Sequence, residues 1–236
     1  MLLKGAQLFS SSYYKIHFYC CYMQKKHHKN FTGLLQVHEL ASLQIEAVVI
    51  VPLLFKCTAY LYGMQKVQKP AEGEYRDYTA AYISKVPDDG MVLQHLQTNF
   101  EALKSLVIDL PEEKLLSAYA PGKWTLKEML VHMMDTERIM AYRALRVARN
   151  DKTNLPGFEQ DDYTPYLYAN ERSIANIMEE YELLRKSTVA LFNNFDESAF
   201  ARVGFANSAL FSVRAALYII AGHELHHSQI IEEKYL

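Results

Sequence analysis

From Met64 onward, apolar residues recur along the chain at the three- and four-residue spacing of amphipathic helices. Leu93, Leu96, Phe100, Leu103 and Val107 form one such seam, which Asp88 or Asp89 can cap and Pro111 ends. After Pro121 and Gly122, Thr125 and Glu128 have the spacing of a capping box. The second helix they open carries Leu126, Met129, Met133 and Met140 on its seam and fades near Asn150. A long connection over 151–169 follows, of a length more often functional than a simple turn. Asn170 is the expected cap of a third helix, with Ile174, Ile177, Met178, Tyr181, Leu184, Leu191 and Phe195 facing inward. A fourth begins near Ser212 and puts Ala216, Ile220, His223, His227 and Ile230 on one stripe. No segment after Met64 alternates convincingly as a strand. The pattern predicts an all-α fold, a four-helix bundle with a long crossover between the second and third helices.

Ahead of Met64 this order is missing. Residues 1–63 show no sustained period, and their apolar run from Ala47 to Tyr62 is broken by Pro52 and Lys56. That run falls short of the roughly 20 clean residues a stable membrane span needs. It also begins too far along the chain for a signal peptide. Six lysines (Lys4, Lys15, Lys25, Lys26, Lys29 and Lys56) against Glu39 and Glu46 give this segment a net charge of +4. With −2 for the whole chain, the remainder carries −6. The domain expectation is therefore 1–63 as a poorly structured extension or start-site artefact, with Met64 the true start, and 64–236 as the bundle. Weak membrane association is the alternative for 1–63, and His27, His28 and His38 there read as surface residues. All three cysteines, Cys20, Cys21 and Cys57, lie in the extension. Their absence from the bundle fits a reducing, cytoplasmic setting. The acidic remainder offers no basic patch for nucleic acid.

The candidate chemistry is concentrated in His223, Glu224, Leu225, His226 and His227. At about 100° per residue, His223 and His227 lie one turn apart on nearly the same face, where two neutral imidazoles can share a divalent ion. The run also matches His-Glu-x-x-His, the protease pattern in which the glutamate is general base. That pattern draws its third ligand from further along the chain, where only Glu232 and Glu233, on the same helix, remain. His132, adjoining the seam of the second helix, is the better third ligand for a metal site formed by His132, His223 and His227. Alone, His132 reads as a hydrogen-bonded core histidine; three buried imidazoles without a shared partner would leave unsatisfied nitrogens. His226 shares a face with His223 at a spacing of three and competes with His227; otherwise it sits beside the site. Glu224 and Asp135 are catalytic candidates. Asp135, one turn after His132, can orient an imidazole or pair with Arg138. Glu224 and Glu137 can shuttle protons or serve between helices.

Several segments together resemble the DinB/YfiT-like superfamily. They are Pro121–Arg138 (PGKWTLKEMLVHMMDTER), Tyr142–Arg146 (YRALR), Leu155–Asp161 (LPGFEQD) and Ser212–His227 (SVRAALYIIAGHELHH). The resemblance covers roughly 66–236, including Gly73-Glu74-Tyr75, and leaves 1–63 unmatched. It implies a four-helix bundle, often a homodimer, with a divalent ion held by one histidine of the second helix and two of the last. Those positions match His132, His223 and His227. It further implies thiol-dependent S-transferases using low-molecular-weight thiols, a related isomerase and metal-dependent hydrolases.

Three histidines leave positions open on an ion, as in catalytic sites. The leading expectation is a divalent-metal-dependent S-transferase that activates a low-molecular-weight thiol against a small-molecule electrophile. Metal-dependent hydrolysis is the alternative, and a non-catalytic metal- or ligand-binding stress protein is a third. Imidazole ligands suit zinc, nickel, iron and copper alike. Gln160, Asp162 and Tyr163 of the long connection are candidates to face the open side, or ordinary loop polarity.

Overall fold

The computed structural model describes residues 63–236. The expectations for 1–62, including those for His27, His28, His38 and the cysteines, lie outside the described residues. A short helix α1 (Asp77–Ile83) precedes four long ones: α2 (Val92–Val107), α3 (Leu126–Ala148), α4 (Ile174–Asn193) and α5 (Val213–Ile230). The capping box of α3 forms, with Thr125 Oγ1 accepting from Glu128 N at 3.1 Å and Thr125 N donating to Glu128 Oε2 at 2.8 Å. Ser212 caps α5 as expected. Two other caps differ. Asp89 accepts from Met91 N, so α2 starts just after the expected aspartates. Ser173, three residues past Asn170, caps α4, because Asn170 is engaged by Thr125 and Glu128 of α3.

Packing joins α3 to α5, α2 to α4, α3 to α4 and α2 to α5. The N-terminal halves of α3 and α4 share one apolar cluster with the C-terminal half of α2, around Phe100, Leu130, Met134 and Tyr181. Their C-terminal halves share another with the start of α5, around Val147, Val189, Phe192 and Leu217. Helices α3, α4 and α5 also contribute buried polar side chains to the interior, and α2 a backbone carbonyl at Leu96.

Two features depart from the sequence expectation. Residues 77–83, read as part of a polar lead-in, form α1, which packs along α5. Seven residues cannot hold a helix alone, so its stability comes from that packing. A three-stranded sheet also exists: β1 (Asn154–Leu155), β2 (Val203–Ala206) and β3 (Ala209–Ser212). β1 runs parallel to β2, and β2 antiparallel to β3. Asn207 and Ser208, both at positive φ (49° and 58°), make the tight hairpin turn. The alternation was illegible because β2 buries Gly204 and Ala206 while exposing Val203 and Phe205, the reverse of the usual signal. Gly204 is required there, since a Cβ would stand 2.4 Å from Val147 Cγ2.

Candidate metal centre

His132 enters from α3, and His223 and His227 from successive turns of α5, so the α3–α5 packing brings them together. They are 5%, 7% and 8% exposed, and one potential ligand nitrogen from each lies within 4.8 Å of the others. His223 Nε2 is 3.1 Å from His132 Nε2 and 3.0 Å from His227 Nε2. An imidazole nitrogen has a single in-plane position, for one proton or one lone pair. His223 Nε2 therefore cannot make both contacts as hydrogen bonds. A shared cation satisfies all three nitrogens at once, and a tetrahedral zinc site spaces its nitrogens about 3.3 Å apart. The donor set fits a divalent ion.

Burial also fixes the right protonation state. Desolvation lowers the pKa of His132 to about 4, against a small opposing pull from Asp161. Desolvation, then the neighbouring imidazoles, lower His227 to about 3 and take His223 well below its ordinary value. All three are neutral near pH 7, the form that ligates metals.

The rings are held from two sides. Trp124 lies 4.5 Å from the His132 ring, and its carbonyl accepts from Tyr235 Oη at 2.6 Å, in the closing π-turn Ile231–Tyr235. Tyr82 of α1 meets His223 and His226 edge-on, each at 5.4 Å. Gly222 permits this approach: a Cβ there would stand 2.0 Å from Tyr82 O. His226 is half-buried between Tyr82 and His227 and stays outside the trio.

Beneath the histidines, α4 supplies a buried guanidinium. Arg185, 2% exposed, binds Glu137 of α3 at 2.8 Å and Glu224 of α5 at 2.8 and 2.9 Å, and donates to the Leu96 carbonyl of α2. Tyr181 Oη donates to Glu224 at 3.2 Å. One side chain thus ties all four long helices through hydrogen bonds that satisfy its fork. Coulombic attraction to both carboxylates carries its pKa well above the usual value despite burial. Burial raises that of Glu224, with Arg185 opposing.

The sequence candidates sort accordingly. Glu224 and Glu137 are committed to Arg185. Asp135 pairs with Arg138 at 3.3 Å, and among the described residues no hydrogen bond joins it to a histidine. Its carboxyl is raised by burial, with Arg138 opposing. Of the connection, Tyr163 stacks near Phe158 at 5.8 Å, while Asp161 is the residue whose charge reaches His132. Sequence reasoning missed Asp161 and Arg185. The available signal for Arg185 was a charged residue one turn from Tyr181 and one turn from Val189, on the buried side of α4.

A family profile described as the DinB superfamily matches residues 95–231. No curated protein matches the chain. Among solved structures, YfiT from Bacillus subtilis, described as a probable metal-dependent hydrolase with an unusual four-helix bundle topology, is similar with a TM-score of 0.55. The two are 18% identical, over 70% of this chain and 90% of YfiT. A mycothiol-dependent maleylpyruvate isomerase is similar with a TM-score of 0.51 and 9% identity, over 62% of this chain and 61% of that one. At these identities the likeness is one of fold. Among the described residues, no helix is long and apolar enough to cross a membrane.

Proposed function

The chain belongs to the DinB superfamily, and from that premise we propose that it is a metal-dependent enzyme acting with a low-molecular-weight thiol. His132, His223 and His227 would hold the ion. The observation that carries this is the convergence of three neutral, buried imidazole nitrogens that cannot satisfy one another. A divalent ion bound there would supply Lewis acidity, lowering the pKa of a thiol or water at its open side. The protein's own groups do the rest. Trp124 and Tyr82 fix the rings and exclude water from two sides. The Arg185 layer holds α3 and α5 in the register that aligns the histidines. Its two carboxylates against one guanidinium leave surplus negative charge in the core when both are ionised, which a bound cation offsets. The proton that the thiol gives up would leave to solvent, with the exposed Asp161 carboxylate as its proposed carrier. The thiol sulfur would then form a bond to an electrophilic carbon while that carbon's leaving group departs with its electron pair.

Hydrolysis by activated water is the second reading, favoured by the extensive fold match to YfiT. Metal content per chain, measured by plasma mass spectrometry on untagged protein, tests the centre. Near-stoichiometric metal is expected in wild type and His226→Ala, with loss in His132→Ala, His223→Ala and His227→Ala. Retention in His132→Ala would refute a centre built across α3 and α5. Joint consumption of a thiol and an alkylating electrophile, abolished by chelation, supports transfer. Ester hydrolysis without thiol supports the second reading.

A further inference from the structure

The face of α3 that carries His132 continues beyond the centre. Thr136, Ile139 and Arg143 follow at spacings of four, three and four, on one stripe of the helix. Ile139, Tyr142 and Arg143 meet Phe158 and Tyr163 of the connection across a cleft of about 180 Å³. Helix α3 links this cleft to the histidines, because Ile139 and Arg143, which follow His132 on the same stripe, line it. Thr136 lies between them, and among the described residues its buried Oγ1 has no hydrogen-bond partner.

Arg143 is the notable group in the cleft. The other arginines of α3, Arg138 and Arg146, are each paired with carboxylates. Arg143 is half-buried, yet among the described residues no carboxylate pairs with it. Its Nη2 donates to the Pro156 carbonyl at 2.8 Å, and among the described residues the one hydrogen-bond partner of its Nη1 is the Met140 sulfur, at 3.7 Å. Its guanidinium carbon stands 5.5 Å from the Phe158 ring centre. Burial lowers its pKa, so the site gains by receiving a negative charge. A half-buried guanidinium with spare donors, flanked by aromatic rings, is suited to a carboxylate.

We infer that this cleft binds the carboxylate end of an elongated small molecule, anchored by Arg143 and walled by Tyr142, Phe158 and Tyr163, whose other end reaches the histidine cluster. The volume sets how much of the ligand it takes: pockets for a whole drug-sized molecule are about 300–1,000 Å³. From His132 to Arg143 the helix rises about 16 Å, so the ligand is on the order of 10–15 Å long. The reach to the histidines rests on the metal-dependent reading above; the carboxylate site does not.

Calorimetric titration of the full chain separates the two. The probes are 3-phenylpropionate and 3-phenylpropanol, then 8-mercaptooctanoate and octanoate, with metal loaded and with metal removed. Wild type is expected to bind 3-phenylpropionate about tenfold tighter than the alcohol in either metal state. Arg143→Met should abolish this preference, and Arg143→Lys, which keeps the charge without the fork, should reduce it. Equal binding of acid and alcohol to wild type overturns the inference. So does an undiminished preference in either variant, with circular dichroism reporting that it is folded. In metal-loaded protein, 8-mercaptooctanoate should bind about tenfold tighter than octanoate, and this gain should vanish on metal removal. Its absence in protein of measured full metal content overturns the reach to the centre. Protein that takes up no metal at all, yet still prefers the acid, refutes the metal-dependent reading and leaves the carboxylate site standing.

Discussion

Gly222→Ala sets two effects of opposite sign against each other. In an isolated helix the change is favourable by about 1 kcal/mol, because alanine loses less backbone entropy. In this fold the added Cβ would stand 2.0 Å from Tyr82 O, 2.4 Å from Tyr82 C and 2.9 Å from its Cα. Ordinary carbon contacts begin near about 3.5 Å, so α1 and α5 must separate by more than 1 Å. The obstructing atoms are backbone, and no rotamer change relieves them. Separation loosens Ile83, Thr79 and the Tyr82 ring against His223. Overpacking of this kind costs about 1–3 kcal/mol and commonly exceeds the propensity gain. Because the clash is with backbone, the upper part of that range, about 2–3 kcal/mol, applies, and less the gain of about 1 the net is a destabilisation of about 1–2 kcal/mol, which for a domain of this size lowers the Tm by roughly 2–8 °C. Scanning calorimetry measures this, and amide exchange over residues 77–86 should quicken as α1 detaches. A Tm that rises, with exchange in α1 unchanged, would refute the close approach and the need for glycine.

Arg185→Met should destabilise the fold by about 3–5 kcal/mol, because it leaves Glu137 and Glu224 buried without their cation. Adding Glu137→Gln and Glu224→Gln should recover part of that loss in denaturant titrations; a triple variant no more stable than Arg185→Met would show that charge is not the cause. The Arg214 hydrogen bonds lower the pKa of Glu74 from 4.5, with burial opposing. The Glu74–Arg214 pair should therefore contribute fully above pH 4.5 and fade as pH falls through the depressed folded value. Glu74→Gln should lower the Tm at pH 7, by the equivalent of about 1 kcal/mol, and converge with wild type in acid. Parallel Tm curves across that range would assign the loss to something other than ionisation.

The sequence by itself determined the elements whose signals are local. Capping at Thr125 and Ser212 follows from hydrogen bonds within one helical turn. The seams of α2 and α3 are periodic because each helix buries one side. His132, His223 and His227 were legible as a set because histidines on inward stripes are conspicuous where leucine is expected. Tertiary structure decided what depends on a second element. Helix α1 is held by packing along α5, where Gly222 permits the close approach, and β2 hides its alternation because Val147 leaves room for no side chain at Gly204. Glu224 read as a possible base in the His223–His227 run, but Arg185, 39 positions away, claims its carboxylate. Spacing fixes which face a residue occupies, whereas its partner depends on helix packing that no local pattern encodes.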